Sequence, residues 1–469
     1  MSTAAINDKT KTPAVGEVFG HPRGLVVLAG TELWDRISFH GMQSLLTLYM
    51  AEQLLLPGHV ERIVGFPALK AAIETLFGHL TTQGLATQIF GLYVGFVYVT
   101  PTIGGWLGDR VLGRVRTVTL GALLMTAGHF CMAFDQSFLL AMLFLILGAG
   151  ALRGNLTPQV GELYAQHDRR RVVAFQLYAS MVNFGAFIAP LVTGALGKFY
   201  GWHVAFAFAG VGMLVGLIIY LSGQRWLTET GPRKAPGLRK AGGPRLPLTS
   251  KERRIIWRLL ALFPVGSLFW IAQSQVWNTY NLWVRDHIEL RIGTFTMPVV
   301  WLQSLDGLAP FICLPPMLMF WRWQAARGRE PNEFVKIAIG CFIFSVSTLW
   351  LAGAGLVTDG HGRTPLMWAV AFHLASNLGW LYFAPTVTAL VSRTAPRSVN
   401  ATMIGAASLA VFLGSTISGR LGSLYEVLPA SQFWTLHAGL VGLGGAIFLI
   451  IGLRFTGAFR TETTPMANP

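Results

Sequence analysis

The sequence predicts an all-α polytopic membrane protein, and three observations carry that reading. Of 469 residues, 53% are hydrophobic and only 12% charged, against roughly 25% charged in soluble domains, so the chain lacks the polar surface that water demands. Roughly a dozen runs reach the length of about 20 apolar residues that a hydrocarbon core requires. These runs are continuous rather than alternating, which excludes the ten-residue strands of a membrane barrel and leaves helices as the spanning element.

The runs begin near Gly24, Leu85, Val118, Phe138, Val172, Trp202, Arg258, Met297, Phe334, Leu366, Val399 and Phe433. Residues 1–23 are a polar tail with no signal-peptide pattern, so the first span is expected to act as its own insertion signal. Residues 24–224 hold six runs. Within them, the stretch from Gln53 to Gly84 includes "HVERIVGFPALKAAIETLFGHL", too charged to span but apolar at helical spacing, and it reads as an interfacial helix or turns on the outer side. Residues 225–253, rich in Pro, Gly and base, form a linker. Residues 254–457 hold six further runs, and 458–469 are a second tail. The net charge of +15 is spread over short loops rather than along one face, which argues against nucleic acid. Lys and Arg concentrate on alternate loops, which places both termini and the linker in the cytoplasm. Cys131, Cys313 and Cys341 lie within spans and read as core residues rather than as a disulfide or metal set. Gly148 to Pro158 and Pro310 to Pro316 are expected to interrupt their helices.

The chemistry concentrates in the first span, "TELWDRISFHG". Glu32, Asp35, Arg36, Phe39 and His40 recur every three and four residues and share one face of a helix. A charge at mid-bilayer costs about 2.5–3.5 kcal/mol even on a permissive scale, so this face points into the bundle and marks a pathway or proton relay. The fourth run, "LGAGALRGNLTPQVGEL", supplies Arg153, so that two acids meet two arginines. A guanidinium keeps its proton, so Arg153 is a fixed charge and protons must ride on Glu32, Asp35 or His40. A static ion-pair staple is the alternative. His129, His373 and His437 stand singly on apolar runs and read as hydrogen-bonded packing residues, His373 having the best claim on a cavity. Arg420 reads as a snorkelling residue near a span end. No phosphate-loop string and no close nucleophile–base grouping occurs, so neither a nucleotide-driven pump nor an enzyme is expected, and no cofactor or metal is called for.

Six spans, a basic linker and six more resemble the layout of the major facilitator architecture, and "GGWLGDRVLGRVRT" resembles that superfamily's loop signature. Within it the chain is similar to the proton-coupled oligopeptide transporters. "ELWDRISFHGM" keeps Glu32 and Arg36 of the family's first-helix pattern, "GALRGNLTPQVG" puts Arg153 at its lysine position, and "FQLYASMVNFGAFIAPLVTG" and "VYVTPTIGGWLGDR" bring Asn183 and Tyr98. The resemblance implies two six-helix bundles, twelve rather than fourteen transmembrane helices, and a site between the bundles at the midplane. It implies import of di- and tripeptides or related small molecules with protons by alternating access, in a bacterial inner membrane, by a monomer contacting only substrate, protons and lipid. It assigns proton coupling to Glu32, Asp35, Arg36, His40 and Arg153, and substrate binding to Arg36, Phe39, His40, Tyr98, Arg153, Asn183, Ser274, Asp306 and Trp380. The sequence departs from the family at that site. Trp380 stands where a helix-ten glutamate would receive a substrate amine, Ser274 replaces a helix-seven glutamate, Ala407 and Ser408 replace helix-eleven aromatics, and Asp306 replaces a helix-eight asparagine. Asp306 either takes over the amine, or caps a polar pocket or pairs with another helix. A non-peptide substrate or a non-transporting sensor are the competing functions.

Overall fold

The computed structural model describes residues 16–165, 167–228, 248–358, 363–396 and 398–455. The centre of the linker and most of both tails lie outside these residues. Helix α1 (Arg23–Tyr49) leads to a short helix α2 (Phe66–Phe77), then to α3 (Thr82–Leu107), α4 (Arg114–Cys131), α5 (Phe138–Glu162), α6 (Arg170–Tyr200) and α7 (Trp202–Gly223). Beyond the linker, α8 (Ser250–Gln275) and α9 (Thr279–His287) are two halves of one crossing, followed by α10 (Ser304–Ala326), α11 (Glu333–Thr358) and α12 (Met367–Thr394). A second broken crossing, α13 (Asn400–Ala406) with α14 (Ser408–Gly422), precedes α15 (Ala430–Arg454). With each broken pair taken once and α2 left out, the described residues make twelve crossings, six on each side of the linker. Ten are long and apolar enough to cross a membrane by composition alone. The other two are α1, diluted by its ionisable stripe, and the short α4, which opens on Arg114 and Arg116.

Helix α1 packs on α6 and α7, α3 on α5, and α4 on α5 and α7, forming the first bundle. In the second, α11 packs on α12 and α15, and α8 on α14 and α15. The bundles meet along α3 with α14 and α6 with α10. Both seams depend on glycine. A Cβ on Gly91 would lie 2.4 Å from the Ser415 carbonyl oxygen, and one on Gly307 would lie 2.3 Å from the Phe187 nitrogen.

The proline-bearing stretches do not break their helices as expected. Helix α5 runs through Pro158, and α10 through Pro310, Pro315 and Pro316. The small residues of α5 instead permit close approach, since a Cβ on Gly104 of α3 would lie 2.0 Å from the Gly150 oxygen. The breaks fall at Val276–Asn278 and at Ala407, where side chains rather than prolines accommodate them. At the first, the Val276 carbonyl receives the Gln303 amide at 2.5 Å, and Asn278 accepts from Thr47 Oγ1 at 2.9 Å while donating to the Thr87 carbonyl at 3.1 Å.

Those Asn278 bonds belong to a set that joins the bundles at the end remote from the linker. Asn281 donates to the Ser44 carbonyl at 2.9 Å, and Arg285 pairs with Glu52 at 3.0 Å. The segment between α1 and α3 takes part. As the sequence suggested, it carries a helix with one buried face, Phe66 and Ile73, while Leu76 is exposed. Its end is capped from the other bundle: Arg420 Nε donates to the Phe77 carbonyl at 2.9 Å, and Thr81 donates to Glu426. Arg420 therefore ties two bundles together rather than snorkelling. A cation at a helix C-terminus is favourable as well as geometrically fitted.

Replacing Gly307 by Ala forces backbone against backbone and is expected to lower stability by about 1–3 kcal/mol, seen as a lower thermal unfolding midpoint in detergent. Gly439→Ala, where an added Cβ meets nothing within 4 Å, is expected to leave the midpoint unchanged or slightly raised.

Candidate functional site

The ionisable face of α1 turns inward, as the cost of lipid exposure requires. Glu32, Asp35 and Phe39 are buried, and Arg36 is half-buried. Arg36 Nε donates to Glu32 Oε1 at 2.7 Å and stands 3.7 Å from Asp35 Oδ2. From α5, Arg153 donates to both oxygens of Asp35, at 3.1 and 3.4 Å. Its guanidinium lies over the Phe39 ring, 3.9 Å from the centroid. From α6, the Tyr178 hydroxyl donates to the other oxygen of Glu32, and Thr157 Oγ1 lies 3.4 Å from that hydroxyl. Two acids and two arginines thus form one chain, Arg153–Asp35–Arg36–Glu32, across α1 and α5. Arg153 pairs with Asp35, while Glu32 is held by Arg36 and Tyr178.

Beside this chain lies a cavity of about 230 Å³ walled by both bundles. That is smaller than the roughly 300–1,000 Å³ of pockets for drug-sized ligands, so it suits a smaller solute. Arg36, His40, Tyr98 and Asn183 line it from the first bundle, and Ser274, Asp306 and Trp380 from the second. Phe39 and Arg153 are not on its wall; they form the layer behind Arg36. Ser274 is buried with its hydroxyl 2.8 Å from that of Ser415. His40 rests its ring 5.2 Å from Trp277, and its Nδ1 is buried without a partner. Gln43, Trp270, Gln273 and Asn377 also face the cavity, and sequence reasoning singled out none of them.

Asp306 lies in the first turn of α10 and meets α12. Its Oδ1 accepts from His373 Nδ1 at 2.8 Å and from Asn377 Nδ2 at 2.7 Å, while its buried Oδ2 has no partner. Asp306 therefore pairs with another helix and also faces the cavity. His373 is buried and hydrogen-bonded, and its partner is an acid of α10. The contact joins residues 67 apart in sequence, so no local pattern signals it. Tyr178 was missed for a similar reason. A tyrosine on an apolar run carries no charge signal, although it sits in the quoted α6 motif.

The family described as the POT family matches residues 115–242 and 247–436. The di-/tripeptide transporter of Lactococcus lactis subsp. cremoris is 28% identical, over 92% of this chain and 95% of that protein. The uncharacterized transporter YclF of Bacillus subtilis (strain 168) is 28% identical, over 92% and 94%. Among solved structures, a peptide transporter POT in complex with sulfate is 25% identical with a TM-score of 0.81, covering 95% of this chain and 98% of that one.

Asp35 and Arg153 compensate one another in a buried setting. Asp35→Asn, which strands the guanidinium, is expected to cost about 3–5 kcal/mol. Adding Arg153→Met to it should recover most of that loss. Denaturation of the purified single and double variants checks both.

Proposed function

The chain belongs to the POT family, and from that premise we propose that this integral membrane transporter carries di- and tripeptides, or similarly sized amino-bearing acids, together with protons. The observation that carries the reading is the cavity itself: one cationic side chain, Arg36, and one anionic side chain, Asp306, face it from opposite bundles. A zwitterion with its carboxylate toward Arg36 and its ammonium toward Asp306 matches that arrangement. Such a solute bridges the two bundles. The Lactococcus lactis relative is a di-/tripeptide transporter, and a di- or tripeptide is a molecule of this kind.

Coupling follows from what holds Arg36. Glu32 occupies the Arg36 Nε at 2.7 Å. Asp35 sits farther from Arg36 and is already bound by Arg153. Protonation of Glu32 weakens its hold and frees the guanidinium for a substrate carboxylate, whereas protonation of Asp35 would strand Arg153. Glu32 is therefore the proton carrier in this proposal, with Tyr178 keeping its carboxyl oriented. Asp35, Arg153 and Phe39 form the fixed layer that holds Arg36 in place. His40 lies one turn along the cavity wall and contacts substrate rather than the ion chain.

Alternating access follows from where the bundles are tied. Residues of α1 beyond Ser44, the distal segment and α9 close the end remote from the linker, and on this reading the cavity is served from the linker side. With the linker and both tails cytoplasmic, as the basic loops predict, that side faces inward. Opening outward breaks the Arg285–Glu52 and Arg420–Phe77 ties, and a membrane potential contributes about 2.3 kcal/mol per charge per 100 mV to the cycle. Bacterial relatives point to the inner membrane, and the cavity is complete within one copy of the chain.

Glu32→Gln is expected to abolish accumulation of labelled di-alanine in proteoliposomes under an imposed pH gradient while preserving counterflow. Undiminished gradient-driven accumulation by that variant removes Glu32 from coupling. Failure of the unaltered protein to exchange any di- or tripeptide removes peptides as the substrate.

A further inference from the structure

The two halves of the cavity differ in charge balance. In the first bundle each acid of α1 has an arginine, and the cluster is neutral. In the second, Asp306 meets no arginine or lysine among the described residues near it. Its ionisable partner is His373, whose side chain is fully buried behind it. An ionised carboxylate has no hydrogen to give, so Nδ1 of His373 carries the hydrogen of their 2.8 Å bond. The ring's other nitrogen is buried without a partner, as is Asp306 Oδ2. The couple therefore keeps one open site on the acid and one on the base.

The groups around it do not supply a fixed cation. From α9, Tyr280 presents its ring, 5.1 Å from the imidazole and nearly perpendicular, with an unpartnered hydroxyl. On α10 the next ionisable group is Cys313, whose thiol is engaged with the Leu374 carbonyl. On α15, His437 stands behind Trp434 and is bound to the Phe433 carbonyl and Gln275. The ionisable residues of α11 other than Cys341, which packs against Gly445 of α15, are Glu333 and Lys336 at its linker end. Across the cavity, Arg36 is matched by Glu32 and Asp35.

We propose that the His373–Asp306 couple is a charge switch that decides whether the cavity accepts a substrate's ammonium group. With the imidazole neutral, the couple carries one negative charge on the cavity wall, the counter-charge for an amine. When the couple takes up a proton, on the ring or on the carboxylate, it becomes neutral and the amine loses its counter-charge. Asp306 touches the substrate; His373 is a positioning residue that acts through it. Amine recognition thus moves from a lone acid to a pair whose charge depends on whether it holds that proton. The inference rests on the reading of the cavity as a peptide site.

The test uses the full-length protein in detergent and measures binding of di-alanine and of N-acetyl-di-alanine by tryptophan fluorescence, from about pH 8 down to about pH 5. The ratio of the two affinities cancels protonation elsewhere in the site. A charge-assisted hydrogen bond is at stake, so the preference for the free amine is expected to fall about tenfold or more as pH is lowered. His373→Asn keeps an amide donor near the position of Nδ1 but takes up no proton, and should hold the preference constant with pH. Asp306→Asn should abolish it at every pH. A preference in the unaltered protein that does not change with pH overturns the switch, even if His373→Asn fails to fold. So does an unchanged pH profile in His373→Asn. Absence of binding by both peptides instead defeats the peptide reading, and the switch falls with it.

Discussion

The ion chain Arg153–Asp35–Arg36–Glu32 is the constraint on which the first bundle depends. Buried charges are tolerable only when each finds an opposite charge and its remaining hydrogen-bonding positions are filled. Here the acids come from α1 and the outer arginine from α5, so neutrality cannot be reached within one helix. Helices α1 and α5 must approach, and the Phe39 ring beneath Arg153 fixes the depth of the contact. Tyr178 then recruits α6 to the free oxygen of Glu32. The same contacts that permit charge in the membrane thus determine how three helices stand to one another.

The consequence is an unequal pair of acids. Asp35 is held on both oxygens by Arg153, and removing its charge strands a guanidinium that cannot lose its proton. Glu32 is held by an arginine that already faces the cavity. When its charge is removed, Arg36 is left beside a space that an anion can enter. The position of the cavity therefore separates an acid suited to structure from one suited to exchange, although the two lie three residues apart on one helix.

The architecture was legible in the sequence because its cause is bulk solvation. Long apolar runs, basic loops and a polar linker report directly on the bilayer, and the twelve crossings follow. The α1 stripe was legible because helical periodicity places its members on one face. Prolines misled: Pro158, Pro310, Pro315 and Pro316 stay within continuous helices, while the break after Gln275 occurs where Gln303 satisfies the Val276 carbonyl. Pairings between helices were the least readable. Nothing local tells Arg153 from Arg36 as the partner of Asp35, and nothing near His373 signals an acid on α10. Those contacts are products of the tertiary fold, and charge counting limits them without assigning them.

Charge counting nevertheless explains why the two halves of the cavity behave differently. A half whose charges cancel can bind an anionic group only by giving up one of its own anions, and in the proposed function that makes ligand entry and proton entry two aspects of one event at Glu32. A half with a single acid has the opposite character, since a cation enters it by joining the charge already there and displaces nothing fixed. Trp380 takes the position where an acid on α12 would have completed a more negative site, and it lines the wall with apolar surface instead. The negative charge that remains belongs to α10 and is held by α12 through His373 and Asn377. The proposed recognition of an amine and the packing of those two helices therefore rest on the same carboxylate.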